Sequence, residues 1–340
     1  MSERNDRQVS RNELTRHVAA AFEANKTAPA AAKAVAEALV QAEIDGQRGH
    51  GLSRVESYAA QAASGKVNGF AEATVERRKP GALLVDAGHG FAYPAINAAM
   101  EALNSAANET GIAAAAIHRS HHCGAVGWHC ERLADRGLLA MFFANTPKAM
   151  APWGGSRALF GTNPIAFAAP RRAASPIVID LALSTVARGK ILTAAQAGEP
   201  IPEGWAVDVD GNPTTDAKAA LAGTLTPIGD AKGAALALMV ELLAVTLAGA
   251  NFAREATSFF DADGNPPGVG QLILAIDPDG FAGRDTVLNR IEDLAADFAD
   301  NGTARLPGAN KAARRAEADR AGIDVDGATL ALIQRLARGA

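Results

Sequence analysis

Short apolar runs separated by polar turns fill the middle of the chain. Between residues 112 and 146 an apolar run (IAAAAIHRS), a polar turn (HHCG), an amphipathic segment (AVGWHCERLADRG) and a second apolar run (LLAMFFANT) follow one another. Val126, Cys130 and Leu133 recur at helical spacing, and Gly137 supplies a stop. The pattern predicts a strand, a helix and a second strand of a parallel sheet, with the helix N-terminus at the sheet edge, where a phosphate is favoured.

Helical patterns precede this unit. Residues 12–44 are alanine-rich and predict two helices that break near Pro29 and stop at Asp45-Gly46. Residues 91–110 predict a further helix that leads into the central unit. We interpret these helices as packing elements.

Apolar runs continue beyond the central unit. Residues 148–170 predict a loop that feeds a strand, residues 176–190 predict a buried strand that ends in polar residues, and residues 270–278 predict another strand. Residues 229–250 predict a glycine loop followed by a helix that is apolar all round, which indicates burial at the centre of the molecule. The remainder is predicted to be helical, with a loop at 304–311.

The dinucleotide fingerprint G-x-G-x-x-G does not occur in the chain. Gly49 and Gly51, and likewise Gly88 and Gly90, lack the third glycine. An ordinary Rossmann domain is therefore not supported. Because no repeat or long linker interrupts the pattern, we expect the parts to interleave into one compact body.

Composition narrows the class of protein. The chain has 340 residues, 48% of them hydrophobic, so one large or two ordinary domains can form a substantial core. A formal net charge of −4 gives no electrostatic reason to expect nucleic-acid binding. No apolar run approaches the roughly 20 residues that span a bilayer, and the N-terminal sequence is too polar for a signal peptide. Cys123 and Cys130 are the only cysteines, so we expect reduced thiols in a cytoplasmic protein without membrane contact.

His50 and Arg54 form the first candidate site. Ser53 and Glu56 have the spacing of a capping box for a helix that ends at Gly65, which places Arg54 in the first helical turn. A cation there opposes the helix dipole, and an anion bound nearby would explain it. If the helix begins earlier, His50 and Arg54 share one face a turn apart. The two side chains are neighbours in both cases.

A cluster of histidines and cysteines raises the question of a metal site. The cluster comprises His118, His121, His122, Cys123, His129 and Cys130. The spacing argues against a metal, because no C-x-x-C is present and His129 and Cys130 fall on different helix faces. We therefore expect no metal, and we expect the cysteines to be small core or turn residues.

Three charged residues elsewhere are further candidates. Lys232 stands between glycines before an apolar helix, where a phosphate or ribose contact is favoured over a surface role. Asp180 follows an apolar run, so it either satisfies backbone N–H groups or orients a histidine as part of the catalytic machinery. Asp208 is the other acid that could orient a histidine, and the sequence does not choose between the two.

At this point the motifs resemble the type-2 malate/L-lactate dehydrogenase family over nearly the whole chain and in the same order. The family includes malate, sulfolactate and ureidoglycolate dehydrogenases and reductases of cyclic imines. The segments that carry the resemblance are DGQRGHGLSRVESY, SHHCGAVGWHCERLADRGL, APWGGSRALFGTNPIAFAAPR, PIVIDLALSTVARGK, IPEGWAVDVDGNPTTD, GDAKGAALALMVELLA and ARLPGAN.

The resemblance implies a fold and an assembly. It implies an α/β fold in which a mixed sheet flanked by helices binds a nicotinamide cofactor, NADPH or NADH, without a Rossmann domain. It further implies a helical domain built from residues 1–75 and 280–340, an α/β domain over 76–279 that binds cofactor and substrate, and a homodimer.

The resemblance also implies roles for particular residues. His50 matches the proton donor, His122 matches the acid/base of some members, and Arg54 matches the clamp for the substrate carboxylate. Thr162, Arg188 and Gly189 match substrate contacts. The positions that match cofactor contacts are His122, Cys123, Gly124, Ala125, Val126, Asp180, Leu181, Ala182, Lys232, Arg305, Leu306, Pro307, Gly308 and Asn310. One departure is Gly49, where the family usually has Ser, so a proton relay through that hydroxyl is absent.

The resemblance leaves the substrate open. The runs ALALMVELLA, SFFDADG and GQLILAIDP look more like the reductases of Δ1-piperideine-2-carboxylate and Δ1-pyrroline-2-carboxylate than the malate enzymes. We therefore expect hydride transfer to the C=N of a cyclic imino acid, with a 2-hydroxy acid dehydrogenase of the malate or lactate type as the alternative. A catalytically silent metabolite-binding relative and a metal-dependent hydrolase on the histidine cluster are the alternatives of other classes.

Overall fold

The computed structural model describes residues 7–339. The helices are α1 (Arg11–Ala24), α2 (Pro29–Ile44), α3 (Val55–Ser64), α4 (Ala92–Thr110), α5 (Val126–Ala134), α6 (Arg188–Ala197), α7 (Ala217–Ala222), α8 (Ala231–Val240), α9 (Arg284–Ala299), α10 (Ala309–Ala321) and α11 (Gly327–Leu336). The strands are β1 (Arg7–Val9), β2 (Thr74–Lys79), β3 (Ala82–Asp86), β4 (Ile112–Ser120), β5 (Leu139–Ala144), β6 (Ile165–Ala169), β7 (Ile177–Leu181), β8 (Ala206–Val207), β9 (Thr224–Leu225), β10 (Val269–Ile276) and β11 (Ile323–Val325).

The N-terminal helices follow the sequence signals. The Ser10 side chain caps α1 by accepting a hydrogen bond from the Glu13 N–H, and Pro29 occupies the first turn of α2, where its missing N–H costs nothing. Gly46 follows α2 with φ of +80°. The predicted break near Pro29 and the stop at Asp45-Gly46 are confirmed.

Seven strands form one mixed sheet in the order β2-β3-β4-β10-β5-β6-β7. The predicted unit β4, α5 and β5 exists, but its two strands are not neighbours. Strand β10 lies between them and is antiparallel to both. The prediction of an adjacent parallel pair was wrong because an apolar run shows that a strand is buried, not which strand it pairs with.

Three other expectations differ from the structure. β7 was predicted to be buried, but it is an edge strand, and Ile179 and Leu181 are 36% and 39% exposed. The helix from 231 was predicted to be buried all round, but Leu238 and Leu242 are 47% and 51% exposed, and the helix continues as a π-helix over Glu241–Thr246. The C-terminal part was predicted to be helical, but β11 pairs with β1.

The apolar side chains form three clusters. One lies between the sheet and helices α4 and α5, a second joins α1, α2 and α3 to the C-terminal β11 and α11, and a third covers the opposite face of the sheet. The second cluster therefore joins the two ends of the described chain. The domain boundaries at 75 and 280 stay a prediction. No helix within residues 7–339 has the length and apolar character needed to cross a membrane.

Candidate functional site

The turn between α2 and α3 carries His50 and Arg54 on two short 3₁₀ turns, Arg48–His50 and Leu52–Arg54. Helix α3 then begins at Val55, and no side chain caps it. The predicted capping box is wrong, because the Ser53 hydroxyl donates instead to the Arg48 carbonyl at 2.7 Å. The predicted end of the helix at Gly65 is confirmed by its φ of +86°. His50 and Arg54 are neighbours, as expected.

His50 lies beside the 122–126 turn. Its ring stacks on His122 with 5.2 Å between ring centroids, and the His122 ring is also 4.9 Å from the Phe259 ring, centroid to centroid. The Tyr58 hydroxyl forms a hydrogen bond with His122 Nδ1. The fold therefore brings together two segments that are about seventy positions apart in sequence.

Both histidines are held neutral. Burial and then the Arg54 guanidinium lower the pKa of His50 to about 4, while the Asp180 carboxylate opposes this shift. Burial, Arg54 and His50 lower the pKa of His122 well below its usual value. His50 Nδ1 and Arg54 Nη1 are buried and have no hydrogen-bond partner among residues 7–339. Unpaired buried polar atoms are costly in a folded protein, so a ligand is the natural partner for them.

Asp180 connects three elements at this site. Its Oδ2 accepts hydrogen bonds from Gln47 Nε2 and from the Gly127 N–H in the first turn of α5, both at 3.0 Å. A Cβ on Gly127 would lie 2.7 Å from the Asp180 Cβ, so the close approach requires glycine. Asp208 binds its own turn, accepting from the Asp210 and Asn212 N–H groups. Of the two acids left open by the sequence, Asp180 is the one near His50.

The loop over 305–310 packs against β7. The Val178 N–H donates to the Pro307 carbonyl at 3.4 Å, and Gly308, with φ of +82°, would place a Cβ 3.2 Å from Val178. This loop and the start of α10 line a cavity of about 100 Å³. The predicted cofactor positions at 122–126, 180–182 and 305–310 therefore adjoin one strand.

The segments that carry two other predicted contacts, Thr162 and Lys232, are joined to the segment after β7 by backbone hydrogen bonds. The Leu183 N–H donates to the Thr162 carbonyl at 2.8 Å, and the Ile228 N–H donates to the Leu183 carbonyl at 2.8 Å. Lys232 lies exposed in the first turn of α8, four residues after Ile228. The structure thus places Thr162 and Lys232 on segments bonded to the end of β7.

Arg188 and Gly189 begin α6 and line a cavity of about 250 Å³. Leu192, Leu221 and Phe260 complete its lining. Arg188 Nη2 donates to the Leu221 carbonyl at 3.1 Å, and burial lowers the pKa of Arg188.

Phe260 links this cavity to Arg54. The Arg54 Cζ lies 4.5 Å from the centroid of its ring.

Sequence reasoning missed four residues of this arrangement: Gln47, Tyr58, Phe259 and Phe260. Tyr58 follows Arg54 by four residues, and this spacing places both on one helix face, so it could have been found. Phe259 and Phe260 come from a loop about two hundred positions away, and no local pattern connects them to Arg54.

The remaining histidines of the cluster have structural contacts. His121 Nε2 is 3.0 Å from Gln61 Oε1, and His129 Nε2 is 3.0 Å from the Cys123 carbonyl oxygen. Within residues 7–339, no group of three or more His, Cys, Asp or Glu side chains is placed to hold a metal ion. The two cysteines are buried free thiols.

Comparison with known proteins identifies the family. A profile of the malate/L-lactate dehydrogenase family matches residues 9–334. The (2R)-3-sulfolactate dehydrogenase (NADP(+)) of Chromohalobacter salexigens is 52% identical over 312 residues, 92% of each chain. The Δ1-pyrroline-2-carboxylate/Δ1-piperideine-2-carboxylate reductase of Pseudomonas putida is 42% identical over 318 residues, again 92% of each chain. The identity to the sulfolactate enzyme is thus higher than to this reductase, whose class the sequence motifs favoured.

Solved structures agree with this assignment. The crystal structure of Δ1-piperideine-2-carboxylate reductase from Pseudomonas syringae pathovar tomato superposes with a TM-score of 0.92 at 39% identity, over 97% of this chain and 99% of that one. The chain therefore belongs to the malate/L-lactate dehydrogenase family and is an NAD(P)-dependent oxidoreductase.

Proposed function

We propose that the chain is an NADP-dependent dehydrogenase of a small 2-hydroxy acid with a second anionic group, with (2R)-3-sulfolactate as the first candidate substrate. The observation that carries the proposal is that two guanidinium groups, those of Arg54 and Arg188, share Phe260 as a neighbour. Arg54 stacks on the ring at 4.5 Å, and Arg188 lines the cavity that the same ring lines. The 52% identity to a sulfolactate dehydrogenase that uses NADP(+) supports both substrate and cofactor.

Two cations favour a dianion over a monoanion. Arg54 can hold the carboxylate that all substrates of this class share, since its planar fork suits a carboxylate. Arg188 is half-buried, and burial lowers its pKa, so its charge is partly desolvated. A second anion in the cavity would compensate the desolvation cost of the Arg188 charge, whereas a substrate with one carboxylate would leave that cost uncompensated.

The described residues fit a phosphate-bearing cofactor. Helix α10 begins in the 305–310 loop with its free N–H groups, and α5 begins at the 122–126 turn. The Lys311 ammonium nitrogen is enclosed, makes no hydrogen bond among residues 7–339 and lies 3.9 Å from Asp45 Oδ2. A bound phosphate would supply the missing acceptor. Among the paired strands of the large sheet only β3 and β4 are parallel, which supports a binding mode other than that of a Rossmann domain.

Each of the remaining side chains has a separate role in the proposed reaction. The bound nicotinamide supplies the hydride acceptor. Arg54 holds the substrate carboxylate, and Thr162 and Gly189 complete the substrate contacts. Because the pKa of His50 is about 4, its imidazole is neutral at pH 7 and can accept the proton that the C2 hydroxyl loses. Asp180 positions this turn through Gln47, three residues before His50.

Reduction of a cyclic imino acid is the second candidate. The solved reductase with a TM-score of 0.92 supports it, and so do the rings of Phe259 and Phe260, which give the site an apolar wall suited to an aliphatic ring. Such a substrate has one carboxylate, so it would use Arg54 but not Arg188.

A substrate panel tests the proposal. Oxidation of (2R)-3-sulfolactate, malate and L-lactate by NADP⁺ and NAD⁺, and reduction of Δ1-piperideine-2-carboxylate, are followed by nicotinamide absorbance. We expect the highest kcat/KM for a dianion with NADP⁺, and Arg188→Gln should raise the KM for dianions about 10- to 100-fold while leaving L-lactate little changed. Lys190→Gln, exposed on the same helix, is the matched control.

The other outcomes of the panel point elsewhere. Preference for the cyclic imine, with no effect of Arg188→Gln, would favour the second candidate. Cofactor binding without turnover of any of these substrates would favour a metabolite-binding relative.

We also propose a cytoplasmic homodimer. Four exposed leucines support a covered face, since apolar patches of this kind mark interfaces: Leu236 and Leu238 on α8, Leu242 on its π-helical extension, and Leu247 directly after that extension. The buried free thiols agree with a reducing compartment. Light scattering of Leu242→Glu should show monomers, whereas Leu294→Glu, equally exposed on α9, should not change the mass.

A further inference from the structure

A buried lysine fixes the segment 258–262 to the end of α3. The Lys66 side chain is 1% exposed, and its ammonium donates to the Ser258 carbonyl at 2.8 Å and to the Asp261 carbonyl and Oδ1, both at 3.0 Å. All three ammonium donors are thereby used. A buried charge is tolerated only when it is paired in this way, so the segment has a defined position.

Two further side chains of α3 hold the same segment. Gln61, fully buried, donates from Nε2 to the Phe259 carbonyl at 2.8 Å, and its Oε1 is bonded to His121. The Ser64 hydroxyl donates to the Ala262 carbonyl at 2.9 Å. The helix that follows Arg54 and carries Tyr58 therefore also sets the position of the two aromatic residues.

This attachment puts the Phe260 ring between two parts of the site. One face lies over the Arg54 guanidinium, and the ring also lines the cavity beside Arg188. Stacking on the flat face of a guanidinium leaves the N–H groups at its edge free. Arg54 Nε already donates to the Gly49 carbonyl at 2.7 Å, so the ring and this hydrogen bond together fix the plane in which Arg54 meets a carboxylate.

We propose that Phe260 is a specificity-determining residue: it orients the Arg54 clamp and forms the wall that the substrate meets beyond its carboxylate. The inference rests on the proposed function for the identity of the reacting substrates. Every substrate of the class shares the carboxylate, so the ring's effect on Arg54 changes all of them alike. The wall contacts only the part of the substrate beyond the carboxylate, which differs between substrates. The size of residue 260 therefore changes the ratio of kcat/KM between substrates.

Two substitutions separate these effects. Phe260→Leu keeps an apolar wall but removes the aromatic face, so we expect KM to rise by about 3- to 10-fold for every substrate with little change in their ratio. Phe260→Ala also removes the wall, so we expect the ratio of kcat/KM between (2R)-3-sulfolactate and a bulkier substrate such as Δ1-piperideine-2-carboxylate to change by about 10-fold or more. Phe281→Ala, at an exposed phenylalanine after β10, is the control.

A binding measurement makes the test independent of turnover. Calorimetric titration of the whole protein with oxalate, a small carboxylate that does not react, should give a Kd about 3- to 10-fold weaker for Phe260→Leu than for wild type. Lys66→Met should reproduce the loss where it folds, since it frees the segment. Unchanged oxalate affinity together with an unchanged substrate ratio in Phe260→Ala would overturn the inference. Wild-type oxalate binding without turnover on the panel would instead contradict the proposed function alone.

Discussion

The Tyr58 hydroxyl and His122 Nδ1 are joined by a hydrogen bond in the interior of the protein. Tyr58 is fully buried, and burial raises its pKa, so the phenol stays protonated. His122 is neutral for the same reason. A protonated phenol can donate to an imidazole nitrogen that carries no proton, so we infer that the proton of His122 resides on Nε2. In this tautomer His122 has a free donor at Nε2, which supports the proposal that His50 carries out the acid/base chemistry.

Removing the Tyr58 hydroxyl should abolish the preference of His122 for the Nε2–H tautomer. In Tyr58→Phe we expect a mixture of Nδ1–H and Nε2–H forms of His122 in ¹⁵N NMR spectra, together with a stability loss of about 1–3 kcal/mol from the unpaired nitrogen. Thr15→Val, which removes a partly buried hydroxyl of α1 that donates to the Arg11 carbonyl, is the control and should leave the His122 signals unchanged. A wild-type spectrum for Tyr58→Phe would contradict the tautomer assignment.

The two histidines should differ in mutant kinetics. His50→Ala removes the proton acceptor that we propose, and we expect kcat for hydroxy-acid oxidation to fall about 10²- to 10⁴-fold. His122→Ala removes a hydrogen-bond donor and should cost less. If only His122→Ala abolishes turnover, the assignment of His50 is wrong.

The pH profile of oxidation follows from the pKa of His50. A base with a pKa of about 4 stays neutral down to pH 5, so kcat/KM should be flat between pH 7.5 and 5.5. An unperturbed histidine would lose half of its activity near pH 6.5. A half-maximal rate near that value would contradict the burial of His50 in the functional enzyme.

Stability should fall in mild acid. The pKa values of His50, His121 and His129 are lowered to about 4, 3 and 3, and that of His122 is also lowered. Below pH 6.5 the unfolded chain binds protons that the folded chain does not. The free energy of unfolding therefore has its full value above pH 6.5 and decreases as the pH falls below it. Each histidine contributes a slope of about 1.4 kcal/mol per pH unit near pH 5.

Urea unfolding at pH 7, 6 and 5 measures this slope. His129→Gln should reduce this slope by the contribution of one histidine, about 1.4 kcal/mol per pH unit. Equal unfolding free energies at pH 7 and 5 would show that the histidines titrate normally in the folded protein.

Arg315 connects α10 to α2 and α5. Its guanidinium binds Asp45, at the end of α2, at 2.6 and 2.7 Å, and Glu131, on α5, at 2.7 Å. Arg315→Met leaves the buried Glu131 carboxylate without its charge partner and, among residues 7–339, leaves Asp45 with only Gln41 Nε2 and the Lys311 ammonium at 3.9 Å, so we expect a loss of about 3–5 kcal/mol in thermal or urea unfolding and weaker NADPH binding. Arg320→Met, in an exposed pair on the same helix, should cost less than about 1 kcal/mol. Equal losses would contradict the role of the buried pair.

Gly49 can accept the serine that the family usually has. A Cβ at Gly49 meets nothing within 4 Å, whereas a Cβ at Gly51 would lie 2.3 Å from Glu43 Oε2 and 3.1 Å from the Glu43 Cα. We therefore expect Gly49→Ser to keep or slightly raise stability, by up to about 1 kcal/mol, and Gly51→Ser to destabilise the protein. Thermal unfolding compares the two, and a large loss for Gly49→Ser would show that the turn needs glycine.

The sequence by itself determined the local elements and part of the site. Helical spacing, Pro29 and the glycines after helices placed α1, α2, α4 and α5, because capping and backbone restrictions act over a few residues. The positions of His50 and Arg54 on one turn followed from the same short-range rules. The predicted Ser53 capping box also failed for a short-range reason, because two 3₁₀ turns form where the first helical turn was expected.

Tertiary structure alone decided which distant segments meet. The insertion of β10 between β4 and β5, and the place of Phe260 over Arg54, depend on pairing and packing across about 150 and 200 positions. The exposure of Leu238 and Leu242 was also unpredictable, because apolar periodicity indicates which faces avoid water but not whether this chain or another one covers them. These contacts are set by shape, burial and long-range hydrogen bonds, none of which leaves a local pattern.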